Sequence, residues 1–443
     1  MSMRWRELPL AACLATLMPA SMVLAVPTPA PSVASPSIPA PLAPGYAPLA
    51  FAGLTLQQAQ NDAVAQSPDV DIARANVDAA SANLTAARAG FGPSLIAGYT
   101  QNPQAGATPG ATVQQQALNL GVQTTLLSFA QFLPLLSQAE ATYRVARANA
   151  VTAERHARIR AATLYFNALR ARASLSARRE AFNLALAQQQ AAQRRFKSGE
   201  APRIDVVRAD VAAAQALAAL DNAQASDANA AQALALETGL SATSIGDPVA
   251  GSVPAGPAAP SDPDSAVQRA MSQRKEIASA RDNVAAASAG VNAARVGVLP
   301  AITLSAGYEH GIDTGQAVKG PTLTASFELP FNSASASRIS QASALLAQAR
   351  AQFRAAQRQL TVEVSSAVRT LNASIQATAA FTRARQAAQE ELNATFIGYR
   401  TGASSSLERT AASATYADAR LAELSAIYDE ALARTVVALE LGP

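Results

Sequence analysis

Residues Ala73–Arg88 read ARANVDAASANLTAAR and residues Ala280–Arg295 read ARDNVAAASAGVNAAR, with eleven of sixteen positions identical at a constant offset of 207. Pro93 falls on Pro300 at the same offset. Alanines match cheaply in a chain this rich in alanine, so the weight rests on the coincident Arg, Asn, Val, Ser and Pro positions. Farther on, Phe196-Lys197-Ser198-Gly199 with Ile204-Asp205 answers Tyr399-Arg400-Thr401-Gly402 with Leu407-Glu408, at an offset of 203. Each copy runs in the order helix, strands, very long helix, glycine turn, helix. The chain is therefore a duplication, and its fold must be two versions of one unit packed on each other.

Each copy holds two strand candidates between its helices. Ile302, Leu304, Ala306 and Tyr308 alternate with Thr303, Ser305, Gly307 and Glu309. Leu323, Ala325, Phe327 and Leu329 alternate with Thr322, Thr324, Ser326 and Glu328, and Leu118, Leu120, Val122 and Leu126 alternate with Asn119, Gly121, Gln123 and Thr125. A strand near Leu95–Tyr99 is weaker, because Ile96 interrupts the alternation. Period two sends one row to each face of a sheet. A half-buried soluble sheet has the same pattern, but lengths near ten residues suit the staves of a membrane barrel. Phe91, Phe129 and Phe331 lie near strand ends, where an interfacial girdle places aromatics. Four strands cannot close a barrel, for which about eight is the practical minimum. Membrane insertion therefore demands several copies of the chain.

The helices are long. From Gln131 to Lys197 there is no glycine, and no proline after Pro134. At 1.5 Å per residue this stretch extends roughly 90–100 Å. After the turn, Ile204, Val207, Val211, Ala214 and Ala218 follow a 3-4-3-4 spacing, which makes a coiled-coil seam. Val206, Leu217 and Leu220 add a second apolar face, which suits a curved wall of helices better than an isolated two-stranded coil.

Several classes of function drop out. The balance of 35 Lys+Arg against 31 Asp+Glu is too even and dispersed for nucleic acid. No Ser/His/Asp order, phosphate-cradling glycine loop or metal-ligand spacing is present, so neither an enzyme nor a cofactor is expected. His156 and His310 stand alone and read as surface residues. Residues 1–25 read as a secretory signal: Arg4 and Arg6 precede an apolar run from Leu8 to Leu24, and Val23-Leu24-Ala25 offers a cleavage site. Leu10-Ala11-Ala12-Cys13 resembles a lipoprotein box, an alternative fate for the same segment. Cys13 is the only cysteine and Trp5 the only tryptophan, so a disulfide framework is excluded. Beyond the signal no apolar segment is long enough for a transmembrane helix; entry into a membrane has to be by closed strands. The expected organisation is a signal at 1–25, a Pro/Ala-rich tether at 26–50, a first repeat at 51–250, a linker at 251–260 and a second repeat at 261–443.

Together these segments resemble the TolC-like outer-membrane factor family over residues 54–442. The most specific match is a glycine turn followed by an acid, FKSGEAPRIDVVRA (196–209) and YRTGASSSLERTAA (399–412), which resembles that family's hairpin tips. LPFNSASASRISQA (329–342) resembles its strand exit into the second long helix. The resemblance implies a mainly α chain with duplicated long helical hairpins and four strands. Three chains would close a twelve-stranded barrel in outer-membrane lipid, above an α-helical tunnel through the periplasm. Loops at 101–114 and 310–320 would face outward. The tips at Phe196–Asp205 and Tyr399–Glu408 would meet a periplasmic adaptor and an inner-membrane pump, with Phe196, Gly199, Ile204, Tyr399, Gly402 and Leu407 forming the docking surface.

A glycine lets the chain leave a helix in the left-handed conformation. Asp205 and Glu408 sit in the first turn of the next helix, where the macrodipole favours anions. The resemblance implies a second role for both, as a carboxylate constriction that favours cations. Two positions depart from the family pattern: Ala411 stands where a second acid is expected, and Ser404 where an arginine often locks the tip. Arg203, Arg208, Arg400 and Arg409 are the cations available for other pairs. The function that follows is a passive export duct of a tripartite efflux or type I secretion system. The alternative is a periplasmic coiled-coil structural or adaptor protein, which would carry one hairpin between β domains rather than two hairpins with strand pairs. A duct takes its specificity from its pump, so drugs, metals and secreted proteins all fit as cargo.

Overall fold

The computed structural model describes residues 50–51, 53–89, 93–105, 112–125, 129–241, 248–249, 262–297, 301–313, 316–328 and 334–442. The signal at 1–25, the tether up to 49, the linker at 251–260, Phe91 and Phe331 lie outside them. The first copy runs α1 (Leu56–Gln66), α2 (Pro68–Ala89), β2 (Ser94–Ala105), β3 (Thr112–Thr125), α3 (Phe129–Lys197) and α4 (Arg203–Thr238). The second runs α5 (Pro263–Gln273), α6 (Lys275–Val296), β5 (Ala301–Asp313), β6 (Gln316–Glu328), α7 (Ala334–Thr401) and α8 (Ser406–Leu441). Short strands β1 (Ala50–Phe51) and β4 (Pro248–Val249) pair with each other. The helices of the two copies have 11, 22, 69 and 36 residues against 11, 22, 68 and 36, so the duplication seen in sequence is a duplication of architecture.

Each very long helix, about 100 Å from end to end, spans two short ones. In the half nearer the strands, α3 packs against α2 and α6, and α6 against α7. In the half nearer the glycine turns, α3 packs against α4 and α8, and α8 against α7. The result is a four-helix wall with α4 and α7 at its edges in the lower half. Alanine makes this possible: Ala157, Ala161, Ala162, Ala209, Ala213 and Ala412 are all buried, and their small side chains let backbones approach.

The bulkiest buried side chains lie at mid-length. The Tyr165 hydroxyl donates to the Leu54 carbonyl at 2.9 Å and accepts from the Phe51 amide at 3.2 Å, which pins the entry to the first copy against α3. Phe51 and Phe166 meet the Tyr165 ring edge-on. In the second copy Leu360, Val364, Val368 and Val437 form the corresponding cluster with α5. Beside it, Arg155 and Arg274 are paired with Glu276 and Glu440, and Arg274 also reaches Glu363 at 3.6 Å. These pairs tie α3, α6, α7 and the end of α8 together. Burial pushes the Glu440 carboxyl above its usual range, with Arg155 pulling it back.

The sheet order is β2-β3-β5-β6, antiparallel throughout. Strands of 12 to 14 residues are longer than the alternation alone suggests. Most of the loop expected at 101–114 and of that expected at 310–320 is therefore strand, with only 106–111 and 314–315 left to connect. The ladder continues past the last apolar residue because neighbouring backbones go on supplying partners. The weak first strand is present as well. Its interrupting Ile96 is registered opposite Gly121, which has no side chain to compete for space. The two copies join where Gly121 faces Gly307. A Cβ on Gly121 would lie 2.7 Å from the Ala306 oxygen and 2.8 Å from the Gly307 Cα. Gly121→Val should thus force β3 from β5, at a cost of about 1–3 kcal/mol, and sharply lower the yield of folded, protease-resistant protein. Gly98→Val, which meets nothing within 4 Å, should leave that yield near wild type.

Candidate functional site

Two surfaces carry the function-bearing residues. The first is one face of the sheet. Register aligns Leu95, Val122, Ala306 and Leu323 on one rung, and Ala97, Leu120, Tyr308 and Pro321 on the next. Thr124, Leu304 and Ala325, then Ile302 and Phe327, continue the face toward the helices. It lies uncovered, with Leu323 exposed by 75%. The opposite face carries Ser94, Gly98, Asn119, Gln123, Thr303, Ser305 and Thr322. Phe327 marks the helix-side end of the apolar belt, and Tyr99 and Tyr308 the far end. These three aromatics were legible as members of the alternating rows, although Phe129, Phe91 and Phe331 drew attention first. From Ile302 to Tyr308 the belt rises about 20 Å along the strand, close to the height of a lipid-facing band.

The second surface is the pair of hairpin tips. Both long helices end in the same motif. Gly199 and Gly402 take φ of 79° and 81°. The Glu200 amide donates to the Arg195 carbonyl at 2.8 Å, and the Ala403 amide to the Gly398 carbonyl at 2.8 Å, each closing the last turn of a left-handed glycine cap. Ser404 folds back on Gly398, where a Cβ would lie 2.4 Å from its hydroxyl oxygen. The position expected to hold a latching arginine is thus occupied by a turn-forming serine.

The two equivalent acids have different partners. Glu408 closes a capping box: its carboxylate accepts from the Ser405 amide at 2.7 Å, and its own amide donates to the Ser405 hydroxyl at 3.2 Å. In the first copy the N-cap is Pro202, which has neither hydroxyl nor amide hydrogen. Asp205 is free of that duty and instead accepts from the Ser406 hydroxyl of the other hairpin at 2.5 Å, with Arg208 at 3.9 Å. The tips are joined a second time at Tyr399. The guanidinium carbon of Arg409 stands 4.0 Å from its ring centroid and that of Arg195 stands 4.9 Å away. Arg409 is only 6% exposed and its Nε has no hydrogen-bond partner. Burial pulls its guanidinium below the usual range, Tyr399 and Asp205 act against this, and Arg195 adds to it.

In the sequence Arg409 is one of four cations without an evident pair, and nothing there singles out Arg195. The signal was available: Arg409 lies one turn before Ala412 on the stripe that α8 buries. Phe196, Ile204 and Leu407 remain exposed. Arg203 and Arg400 make no ion pair among the described residues. The seam expected on α4 is present but faces away from the chain, with Val211 exposed by 51%, because α3 takes the opposite face through Ala209, Ala213 and Leu220. Among the described residues no three His, Cys, Asp or Glu gather in a way that could hold a metal, and no helix is long and apolar enough to cross a membrane.

The sequence profile described as "Outer membrane efflux protein" matches residues 59–240 and 266–442, one block in each copy. The chain belongs to the outer membrane efflux protein family. Solved structures agree on the fold. A membrane protein from Pseudomonas aeruginosa superimposes with a TM-score of 0.77 at 19% identity, covering 93% of this chain and 99% of that one. The outer membrane protein VceC of Vibrio cholerae gives 0.74 at 20% identity, covering 87% and 96%. The open state of the MtrE outer membrane channel of Neisseria gonorrhoeae gives 0.65 at 20%, covering 87% and 88%. No curated protein sequence matches the chain. The family match bears out the resemblance to TolC-like factors, and the solved structures share the fold.

The contacts between hairpins thus run through Arg195 on the Tyr399 ring, which Arg409 packs from its own hairpin, and through Asp205 and Ser406. Arg409→Ala should remove a stacked cation worth about 1–2 kcal/mol and speed amide hydrogen exchange over 196–208 and 399–410. Arg409→Lys should restore only part of the protection, since an ammonium lacks the planar stacking group. Unchanged exchange in both variants would leave the cluster without a role in holding the tips.

Proposed function

We propose that this chain is one of three subunits of an outer-membrane duct that passes cargo from the periplasm to the exterior without chemistry of its own. The observation that carries the reading is the exposed apolar belt on a four-stranded sheet whose edge strands β2 and β6 pair on one side alone among the described residues. In hydrocarbon no water is present to satisfy such edges, and three copies give twelve strands, enough to close. The uncovered α4 seam supports the same assembly, since a neighbouring copy's helix would fill it. On this reading the chain is exported by its signal at 1–25, and residues 51–250 and 261–443 contribute one hairpin each to the tunnel. The helices then extend into the periplasm.

The tips lie farthest from the sheet and face the inner membrane. Phe196, Ile204 and Leu407 offer apolar contacts to a periplasmic adaptor, Gly199 and Gly402 shape the turns that present them, and Tyr399 holds the two hairpins in register. The adaptor in turn couples the duct to an inner-membrane pump, of efflux or type I secretion class. Glu408 and Asp205, repeated by three-fold symmetry, set the charge of the narrow entrance.

Purified protein should run as a heat-resistant trimer in detergent and conduct ions in planar bilayers; a soluble monomer in the periplasmic fraction would sink the proposal. Glu408→Gln separates the acid's two duties, because glutamine serves equally at the third position of a capping box. The variant should keep the tip intact and lower cation preference in bilayer recordings, and unchanged selectivity would return Glu408 to its capping role alone. Gly402→Val forces a β-branched residue into positive φ at a cost of about 1–3 kcal/mol. It should impair export while trimers persist, which loss of drug or metal tolerance in a complemented strain would report.

A further inference from the structure

Charges on the sheet are sorted by face. Among strand residues whose side chains are described, Glu309 lies on the polar face, while His310 and Lys319 lie on the apolar one. His310 of β5 and Lys319 of β6 are register partners, both exposed, on the rung that also holds Tyr99 and Leu118. One rung nearer the helices come Tyr308 and Pro321, and then the aliphatic part of the belt. Neither basic side chain makes a hydrogen bond or ion pair with another described residue.

Two basic side chains directly opposite one another on a sheet stand about 5 Å apart at Cβ, close enough to repel when both are charged and to share one anion. What they would bind is constrained by what surrounds them. Below the pair the surface is mainly apolar, and Tyr99 on the same rung and Tyr308 on the next are rings of the kind that mark a membrane interface. A soluble anion would use only the upper half of this surface. An amphiphile uses all of it, with acyl chains on the belt and a phosphate at the pair.

We propose that His310 and Lys319 form a headgroup site, three per trimer, for the phosphate of a phosphorylated glycolipid of the outer leaflet, with the phenols of Tyr99 and Tyr308 beside it. The assignment rests on the trimeric barrel proposed above, which puts this end of the sheet at the outer surface.

The test compares thermal dissociation of the purified detergent-resistant trimer on native gels with added bis-phosphorylated lipid A, dephosphorylated lipid A, phosphatidylcholine or inorganic phosphate. Only bis-phosphorylated lipid A should raise the dissociation temperature, by a few degrees. The double variant His310→Gln/Lys319→Gln should lose that rise. Lys319→Arg should keep it, as should Glu309→Gln on the opposite face. A wild-type rise of equal size with dephosphorylated lipid A or with inorganic phosphate overturns the assignment, as does a double variant that responds like wild type. A trimer indifferent to lipid phosphate removes this site alone, whereas a protein that never forms a trimer removes the duct reading with it.

Discussion

A peptide group inside a bilayer has no water to bond to, and each one left unsatisfied costs several kcal/mol. The sheet of this protein meets that condition only along its three internal ladders, β2–β3, β3–β5 and β5–β6. Its two edges and its apolar belt stay open, and the outer face of α4 stays open with them. Each is a surface that a single chain cannot cover. Among the described residues the fold of one chain is thus open in a consistent way, at the same edges of strand layer and helix wall, and the proposed assembly rests on that openness.

Duplication supplies the geometry that the edges need. Two copies with helices of matching length place two strand pairs side by side and two glycine turns at a common level. Where the copies meet, the sequence is specialised. In the sheet, Gly121 and Gly307 let β3 and β5 approach at the one internal ladder that no hairpin turn enforces. At mid-length, Arg155 and Arg274 gather carboxylates from α6, α7 and α8. Along α3 and α8, Arg170 with Asp429 and Arg420 with Glu180 cross from one copy to the other. Ion pairs such as Arg172 with Asp227 and Arg385 with Glu423 also bind helices within a copy; the glycine contact in the sheet belongs to the join between copies.

The tips show how far one substitution can separate equivalent residues. Asp205 and Glu408 occupy the same position of the repeat, and the helix dipole favours both. Ser405 captures Glu408 in a capping box, while Pro202 offers no such bond and leaves Asp205 to reach Ser406 on the other hairpin. Val206 and Arg409 differ in the same way. The first copy places an apolar side chain at that position, and the second a guanidinium over Tyr399. A tip built from identical copies would lack the Asp205–Ser406 bond across the hairpins and the guanidinium that backs Tyr399 where Arg195 reaches it. The asymmetry is what lets one hairpin hold the other.

The sequence by itself determined the duplication, the strand pairs, the lengths of the helices and the two glycine turns. All of these are local: alternation and apolar spacing depend on near neighbours, and a left-handed cap needs only a residue without a Cβ. It also determined that any membrane-spanning part must be strands, since no segment past the first 25 residues is apolar for long enough. Tertiary structure decided what depends on distant partners. Which face of α4 packs inward turned on where α3 lies, and the coiled-coil seam proved to be the outward one. The strands ran past their apolar residues because a ladder follows the neighbouring backbone, not the side chains. Arg195 and Arg409 became tip residues only because folding brings the ends of α3 and α7 and the start of α8 together around a single tyrosine, more than two hundred residues from the first arginine.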